Sequence, residues 1–408
     1  MWPACLPLRN EGMRHDARLQ DMTGAINIWE WRKRAQRRLP RAVFDYLDGG
    51  AEDESCLRRN RASIEAVHLR PAMLNDVSSI DMSVQMFGQR FELPIAITPT
   101  GLNGLFWPDG DIALARAAAA CNIPFTLSTP SSVRLERIPA EAGGTHWMQL
   151  YVMSDRSLAE QIMKRALASN YSALILTADV PVSGYRERDL RNGFKIPFRY
   201  TAPLLLDSAL HPRWLMGLAR TGLPRLVNLT ESESQQASTE AQAALLSRTM
   251  DRSLDWSSID WIRRHWSRPL LLKGVLDAQD ARRALDHGLD GVIVSNHGGR
   301  QLDCAPATID VLPEVVAAVA GRVPVMVDGG FRRGGDVLKA IALGARAVLL
   351  GRTTLYGLAA AGEEGVRHVL QMIRAEIERT MILSGIRSMR ELTAERVTRS
   401  PLRDYEQV

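Results

Sequence analysis

The chain has 408 residues, 46% of them hydrophobic and 24% charged, which supplies a large core and excludes a disordered or low-complexity protein. Its net charge of +5 includes the basic run Arg32, Lys33, Arg34, Arg37, Arg38 and Arg41, yet no nucleic-acid module or aromatic interleaving accompanies it, so nucleic acid is not an expected partner; a solvated helix face or attraction to anionic lipid is more economical. Four cysteines, Cys5, Cys56, Cys121 and Cys304, lack metal-ligand spacing and fit a reducing compartment, and no apolar run is long enough to span a membrane.

Residues 1–26 are expected to be a disordered tail: 1–21 contains no sustained apolar stretch and no signal peptide, and Met22 is an alternative start. A helical extension follows, in which Tyr46 reads as an aromatic on a helix face. From residue 94 onward, short apolar segments recur at 94–98, 124–127, 147–151, 173–177, 269–272, 291–294, 323–327 and 345–350. Helical patterns separate most of them, at 111–120, 158–168, 278–287 and 335–343, with apolar residues three and four apart. Strands alternating with helices imply an α/β fold with a parallel sheet, and eight units over this length predict a (β/α)8 TIM barrel occupying 27–392.

The connection between the fourth and fifth strands is far longer than an ordinary crossover. Within it, 197–229 mixes Leu204, Leu205, Leu206, Leu210, Trp214, Leu215 and Met216 with Arg199, Arg213, Arg220 and Arg225. That blend suits a segment lying in a bilayer interface; an active-site lid or a subunit contact is the competing reading. The Ser-, Gln- and Glu-rich stretch 230–240 reads as mobile, completing an insertion over 197–240. Near the end, Val366, Val369, Leu370, Ile373, Ile377 and Met381 form one helical stripe that packs on the barrel or on a neighbouring subunit. Residues 393–408 read as a C-terminal tail.

Barrel active sites lie at the C-terminal ends of the strands, and here every strand end carries polar or glycine residues. In order they are Pro99, Thr100 and Gly101; Ser128; Gln149 and Tyr151; Thr177 and Asp179; Lys273; Ser295, His297 and Arg300; Asp328, Gly330 and Arg332; Gly351 and Arg352. His297 offers a base near neutral pH and Arg300 a two-pronged clamp for a carboxylate, a pairing suited to proton abstraction from a small organic acid. Gly329, Gly330 and Gly351 permit close backbone approach, and with Arg332 and Arg352 they predict a phosphate site after strands 7 and 8. Each residue also has a bland reading. Asp179 could cap a turn before Pro181, Lys273 could be a solvated strand end, and Arg186 could ion-pair within Arg186-Glu187-Arg188-Asp189.

The run Ser295-Asn296-His297-Gly298-Gly299-Arg300-Gln301-Leu302-Asp303, with Lys273, Asp179, Gln149-Leu150-Tyr151 and the glycine-arginine run 328–334, resembles the FMN-dependent α-hydroxy acid oxidase and dehydrogenase family. The resemblance runs from about 27 to 392. Runs 99–104, 184–189 and 211–214 are most similar to its membrane-associated branch acting on (S)-mandelate. The resemblance implies FMN as cofactor and oxidation of an (S)-2-hydroxy acid, mandelate to phenylglyoxylate, with electrons passed to a membrane quinone. It implies His297 as the base, steadied by Asp179; Arg186 and Arg300 gripping the carboxylate with Tyr46; Tyr151 bonding the hydroxyl; and Lys273 beside the flavin N1 and C2 carbonyl. Pro99, Thr100, Gly101, Ser128, Gln149, Thr177 and Ser295 would surround the isoalloxazine ring, Asp328 would meet the ribityl chain, and Gly330, Arg332, Gly351 and Arg352 would hold the phosphate.

The same resemblance implies peripheral attachment through 197–229 at the cytoplasmic face of the cell membrane, and a homotetramer. Small residues at Pro130 and Ser183 suit a phenyl ring, with Leu105, Phe106 or Trp107 as further lining, and Gly101 favours a dehydrogenase over an oxidase. The alternatives are a lactate dehydrogenase of the same family, a flavin-free barrel in which Lys273 forms a Schiff base, and a non-enzymatic membrane scaffold.

Overall fold

The computed structural model describes residues 24–193, 202–229 and 250–401. Of the disordered tail expected at 1–26, residues 1–23, with Cys5 and Met22, lie outside the described residues, as do 197–201, the mobile stretch expected at 230–240 and 402–408; residues 24–26 are described, with Ala25 buried and the Ile26 N–H donating to Glu30.

Three helices open the fold: α1 (Ile28–Arg38), α2 (Arg41–Asp48) and α3 (Ser55–Glu65). Asn27 starts α1 by accepting the Glu30 N–H at 3.0 Å while its amide donates to the Glu30 carboxylate at 3.0 Å, satisfying donors that a helix N-terminus leaves unpaired. Ile28, Trp31 and Ala35 fall on one face and are buried. The basic residues between them occupy the remaining faces, where their charge stays hydrated.

Eight parallel strands follow, and they close into a barrel. They are β1 (Ile95–Ile97), β2 (Phe125–Leu127), β3 (His146–Leu150), β4 (Ala173–Thr177), β5 (Leu270–Val275), β6 (Gly291–Val294), β7 (Val325–Val327) and β8 (Ala347–Leu350). Each pairs with the next, and Val348 opposite Ile95 joins β8 to β1. Every residue of β3 and β4 is buried, because helices cover the outside and side chains fill the inside; this is why the strands read as unbroken apolar runs. β5 runs to Val275, so Lys273 lies inside a strand and is buried, which corrects the solvated strand-end reading.

The principal helices after β1 are α4 (Gly110–Ala120), α5 (Arg156–Ala168), α6 (Ala202–Ala209), α7 (Pro212–Thr221), α8 (Ser258–His265), α9 (Ala278–Asp286), α10 (Thr308–Val319), α11 (Gly334–Ala342) and α12 (Arg352–Ser384). The apolar stripe of α12 is fully buried and packs within the chain, against α4, α1 and α11. The helix breaks at Ala361 and Gly362, where Gly362 has φ +63° and a Cβ would enter the Trp107 ring. Residues 397–399, placed in the tail by sequence, form a strand paired with Val67–Leu69, so the ordered chain continues past 392.

His146 opens β3 at the base of the barrel with neither ring nitrogen meeting a hydrogen-bond partner, between the rings of Phe125 and Tyr171. Burial pushes its pKa down to about 4, and only a weak approach of the Gly143 backbone opposes the shift. Below pH 6.5 the unfolded chain therefore takes up a proton that the folded one refuses. The native state loses stability as pH falls from 6.5 toward 4, by about 3 kcal/mol from this group. Acid unfolding monitored by circular dichroism is expected to show that loss shrinking in His146→Phe; equal acid sensitivity in the two proteins contradicts the assignment.

Candidate active site

The loop leaving β6 sets the geometry. His297 has φ +56°, and Gly298 and Gly299 follow at +64° and +74°, three consecutive left-handed residues of which one carries a side chain. Such a conformation costs about 1–2 kcal/mol at a non-glycine residue and must be held by its surroundings. Asn296 supplies the hold: its amide and that of Asn60 on α3 donate to each other at 2.8 and 3.0 Å, and Asn296 also donates to the Pro306 carbonyl at 3.0 Å. The Ser295 hydroxyl accepts the His297 N–H at 3.1 Å.

The imidazole is thereby placed between an anion and a phenol. Its Nδ1 lies 3.0 Å from Asp179 Oδ1, and its Nε2 lies 3.5 Å from the Tyr151 hydroxyl. Burial alone would raise the Asp179 carboxyl, but the charge and hydrogen bond of His297, with the charge of Lys273, outweigh it and hold the group below its ordinary value. Burial and the Asp179 charge raise Tyr151, which stays a neutral phenol able to donate.

Beside this triad, two guanidinium groups face one ring. Arg300 lies 5.1 Å and Arg186 5.5 Å from the Tyr46 ring centre. Arg186 does pair with Asp189, at 3.3 Å, as the bland reading expected, and it lines the cavity as well. Arg300 donates to the Tyr46 and Gly49 carbonyls at 2.8 and 2.9 Å. Burial first and the neighbouring Arg186 second lower its pKa, so an anion arriving here relieves an existing repulsion. Arg352 bridges from β8 to the Gly298 and Gly49 carbonyls at 2.9 and 2.7 Å.

Deeper in the barrel, the Lys273 ammonium sits 3.1 Å from Asp328 and donates to Ser295 at 2.8 Å. Burial would lower its pKa, but Asp328 and Asp179 together raise it, so the amine stays protonated. A Schiff-base lysine needs the opposite shift, and the flavin-free reading loses its nucleophile.

One cavity of about 460 Å3 joins these groups, within the range of small-molecule sites. Of the predicted residues it is lined by Tyr46, Pro99, Thr100, Gly101, Ser128, Tyr151, Arg186, Lys273, His297, Arg300, Asp328, Gly330, Arg332, Gly351 and Arg352. Gln149, Thr177, Asp179 and Ser295 stand behind this wall. Pro130, Ser183 and Phe106 also line it, whereas Leu105 and Trp107 belong to the core side and do not. Sequence reasoning missed the Gly49 turn, the Asn60–Asn296 amide pair, and Leu226 and Met250 in the lining. The pair Gly49-Gly50 directly after a helix was the available signal for the first; a contact between distant amides leaves none.

The residues fit an FMN group. Thirteen buried side-chain polar atoms among the described residues have no hydrogen-bond partner, and six belong to predicted cofactor residues: Thr100 Oγ1, Gln149 Nε2, Thr177 Oγ1, Asp328 Oδ1, Arg332 Nε and Arg352 Nε. Native interiors rarely leave such atoms unpaired, so their concentration here marks surface built for a polar ligand. The Ser128 hydroxyl and Thr129 N–H both donate to Gln149 Oε1 at 3.0 Å, which fixes the amide with its NH2 left over. At Gly351 a Cβ would lie 3.0 Å from Thr98, and at Gly330 3.0 Å from Asn60, so the backbone there stays bare for close approach.

The comparisons with known proteins agree with this geometry. The FMN-dependent dehydrogenase family matches residues 35–399. The chain is 49% identical to (S)-mandelate dehydrogenase of Pseudomonas putida over 91% of this chain and 93% of that one, and 41% identical to L-lactate dehydrogenase of Bartonella quintana over 90% and 96%. A crystal structure of (S)-mandelate dehydrogenase, described as a monotopic membrane protein, superposes with a TM-score of 0.89 at 48% identity, covering 92% of this chain and 100% of that one. The barrel, the converging imidazole and guanidinium groups and these similarities lead to one conclusion: the chain belongs to the FMN-dependent dehydrogenase family of 2-hydroxy acid-oxidising enzymes.

Proposed function

We propose that the enzyme oxidises (S)-mandelate to phenylglyoxylate and delivers the electrons to a membrane quinone from a peripheral position on the cytoplasmic face of the cell membrane. The observation that carries the substrate reading is the cavity wall: Arg186, Arg300 and Tyr46 offer a carboxylate clamp, while Phe106, Pro130, Leu226 and Met250 give the same cavity an apolar side. Ser183 and Gly184 keep that side open, and a Cβ at Gly184 would strike the Arg300 carbonyl. The 49% identity to a mandelate dehydrogenase supports the same choice.

In this mechanism the guanidinium groups fix the carboxylate and so orient the α-carbon and its hydroxyl, converting a chance encounter into a positioned one. Tyr151 donates to the hydroxyl oxygen as it becomes a carbonyl. His297 Nε2 takes the proton released from the hydroxyl or the α-carbon, and Asp179 stabilises the imidazolium that results. FMN, when bound, accepts the two electrons that turn the alcohol into a ketone. Asp328 and Ser295 hold the protonated Lys273 amine, which would offset the negative charge a reduced flavin gathers, and Arg332 and Arg352 would hold the FMN phosphate.

The membrane reading rests on α6 and α7. Leu205, Leu206, Leu210, Leu215, Met216 and Leu223 are exposed there, Leu206 and Leu210 by 70% and 79%. Arg213 and Arg220 lie among them, a composition for the headgroup layer. No helix among the described residues is long and apolar enough to cross a membrane.

Anaerobic mixing with mandelate, lactate and glycolate, followed by flavin absorbance, is expected to show mandelate reducing the flavin fastest; faster reduction by lactate assigns the enzyme to lactate instead. In the same assay His297→Asn should slow reduction by about 10²–10⁴-fold with the flavin still bound, and a near-normal rate would remove His297 as the base. Changing Leu206, Leu210, Leu215 and Met216 together to Gln should free the protein from sedimenting anionic vesicles without releasing FMN; continued sedimentation refutes attachment through these helices.

A further inference from the structure

Asp111 is a fully buried carboxylate that plays no part in the chemistry above. It sits in the first turn of α4, behind the seam between two loops that line the cavity: Pro99–Thr100–Gly101–Leu102 after β1, and Ser128 and Pro130 after β2. Asn103 Nδ2 donates to Asp111 Oδ1 at 2.6 Å and to the Thr100 carbonyl at 3.1 Å. From the other loop, the Ser131 hydroxyl donates to Oδ2 at 2.8 Å. Burial raises the carboxyl to about 6, with Asn103, Ser131 and Ser132 all working against that rise.

A capping role alone does not account for this arrangement. A carboxylate in a first helical turn gains from the helix dipole when exposed, at no desolvation cost, whereas this one is withdrawn from water and solvated by the two loops instead. Asn103 continues the link outward. The peptide between Thr100 and Gly101 is planar, so holding the Thr100 carbonyl toward Asn103 turns the Gly101 N–H the opposite way. That N–H takes no hydrogen-bond partner among the described residues. The seam is close-fitting: the Leu102 N–H donates to the Pro130 carbonyl at 3.0 Å, Leu102 has φ +57°, and a Cβ on Gly101 would lie 2.9 Å from Pro130 Cγ.

We propose that Asp111 is a positioning residue for the cofactor site: its carboxylate clamps the loop after β1 to the loop after β2 and, through Asn103, presents the Gly101 N–H to the bound FMN. The inference deepens the FMN reading above and rests on it. Asp111 touches neither substrate nor cofactor; it acts by fixing one peptide plane and the gap between two loops.

The test uses wild-type holoenzyme, Asp111→Asn and Asn103→Ala. Flavin fluorescence recovered on dilution reports FMN release, the visible spectrum and midpoint potential report the environment of the bound flavin, and apoprotein melting reports the fold. An amide offers one acceptor oxygen where the carboxylate offers two, so Asp111→Asn is expected to weaken FMN retention about tenfold or more, the scale of one lost charged hydrogen bond. Its absorption bands or potential should shift, while apoprotein melting holds or rises because a buried charge is gone. Asn103→Ala, which keeps the carboxylate, should reproduce the spectral shift, and it decides the matter if Asp111→Asn does not fold. Wild-type retention and spectrum in the variants overturn the proposal, as does FMN loss that merely tracks lower melting with an unaltered spectrum. Wild-type protein unable to hold FMN defeats the FMN reading itself, whereas a flavin-bearing wild type with unresponsive variants defeats only the role of Asp111.

Discussion

Crowded positive charge at the barrel mouth is the constraint around which the rest is arranged. Arg186, Arg300, Arg332, Arg352 and Lys273 all border one cavity, drawn from β5, the segments following β6, β7 and β8, and the long insertion after β4. The Gly49 carbonyl alone accepts from both Arg300 and Arg352, and the Gly298 carbonyl takes a second bond from Arg352. Carbonyl dipoles solvate these guanidinium groups without neutralising them. Arg352 is lowered to about 10, first by burial and then by Arg300, so it remains charged at neutral pH while destabilised. A site in this condition gains most from dianionic and monoanionic ligands together, a phosphate for one end and a carboxylate for the other. The N-terminal extension is needed for the same reason: α2 delivers Tyr46 and the Gly49 turn, and α3 delivers Asn60 to the catalytic loop. Its helices complete the mouth of the barrel as well as decorating the outside.

The second consequence is a division of labour among carboxylates. Asp179, Asp328 and Asp111 all lie in the interior, yet their surroundings assign them different tasks. Asp179 meets His297 and is held below its ordinary value, so it is an anion wherever the imidazole needs one. Asp328 pairs with Lys273 and keeps one oxygen unpartnered toward the cofactor side. Asp111 has only neutral donors and rises to about 6. Buried charges generally add little net stability compared with apolar packing. Such carboxylates retained around one cavity, Asp189 beside Arg186 among them, therefore indicate residues kept for placement of chemistry.

Much of the fold was legible because the barrel obeys local rules. Fully buried parallel strands produce continuous apolar runs, amphipathic helices separate them, and the eight predicted segments match the eight observed strands to within a few residues at each end. The candidate site was legible for a related reason: strand C-termini are short, consecutive and chemically explicit, so His297, Lys273 and Asp328 announced themselves by type and position. Other features depend on contacts far apart in sequence. The Asn60–Asn296 pair spans 236 residues, and neither partner carries a local signature. Leu105, Phe106 and Trp107 show the same limit. They are adjacent and all apolar, but only Phe106 faces the cavity, because the short helical turn Asn103–Leu105 points its neighbours into the core and toward α12.

That turn also joins the cavity to the insertion. The Trp214 indole on α7 donates to the Leu105 carbonyl at 2.7 Å, and the next residue, Phe106, stacks on Tyr46 with ring centres 6.1 Å apart. Two links therefore connect an exposed apolar helix to the ring flanked by Arg186 and Arg300. The insertion leaves the barrel from the C-terminal end of β4, the end at which the cavity opens, and it returns Leu226 to the cavity wall, so α7 is tied to the mouth at both of these points. On the proposed reading this placement is physically coherent: a bilayer that receives α7 also brings the mouth close to an apolar acceptor dissolved in it, and the wall that senses the helix is the wall that grips the substrate.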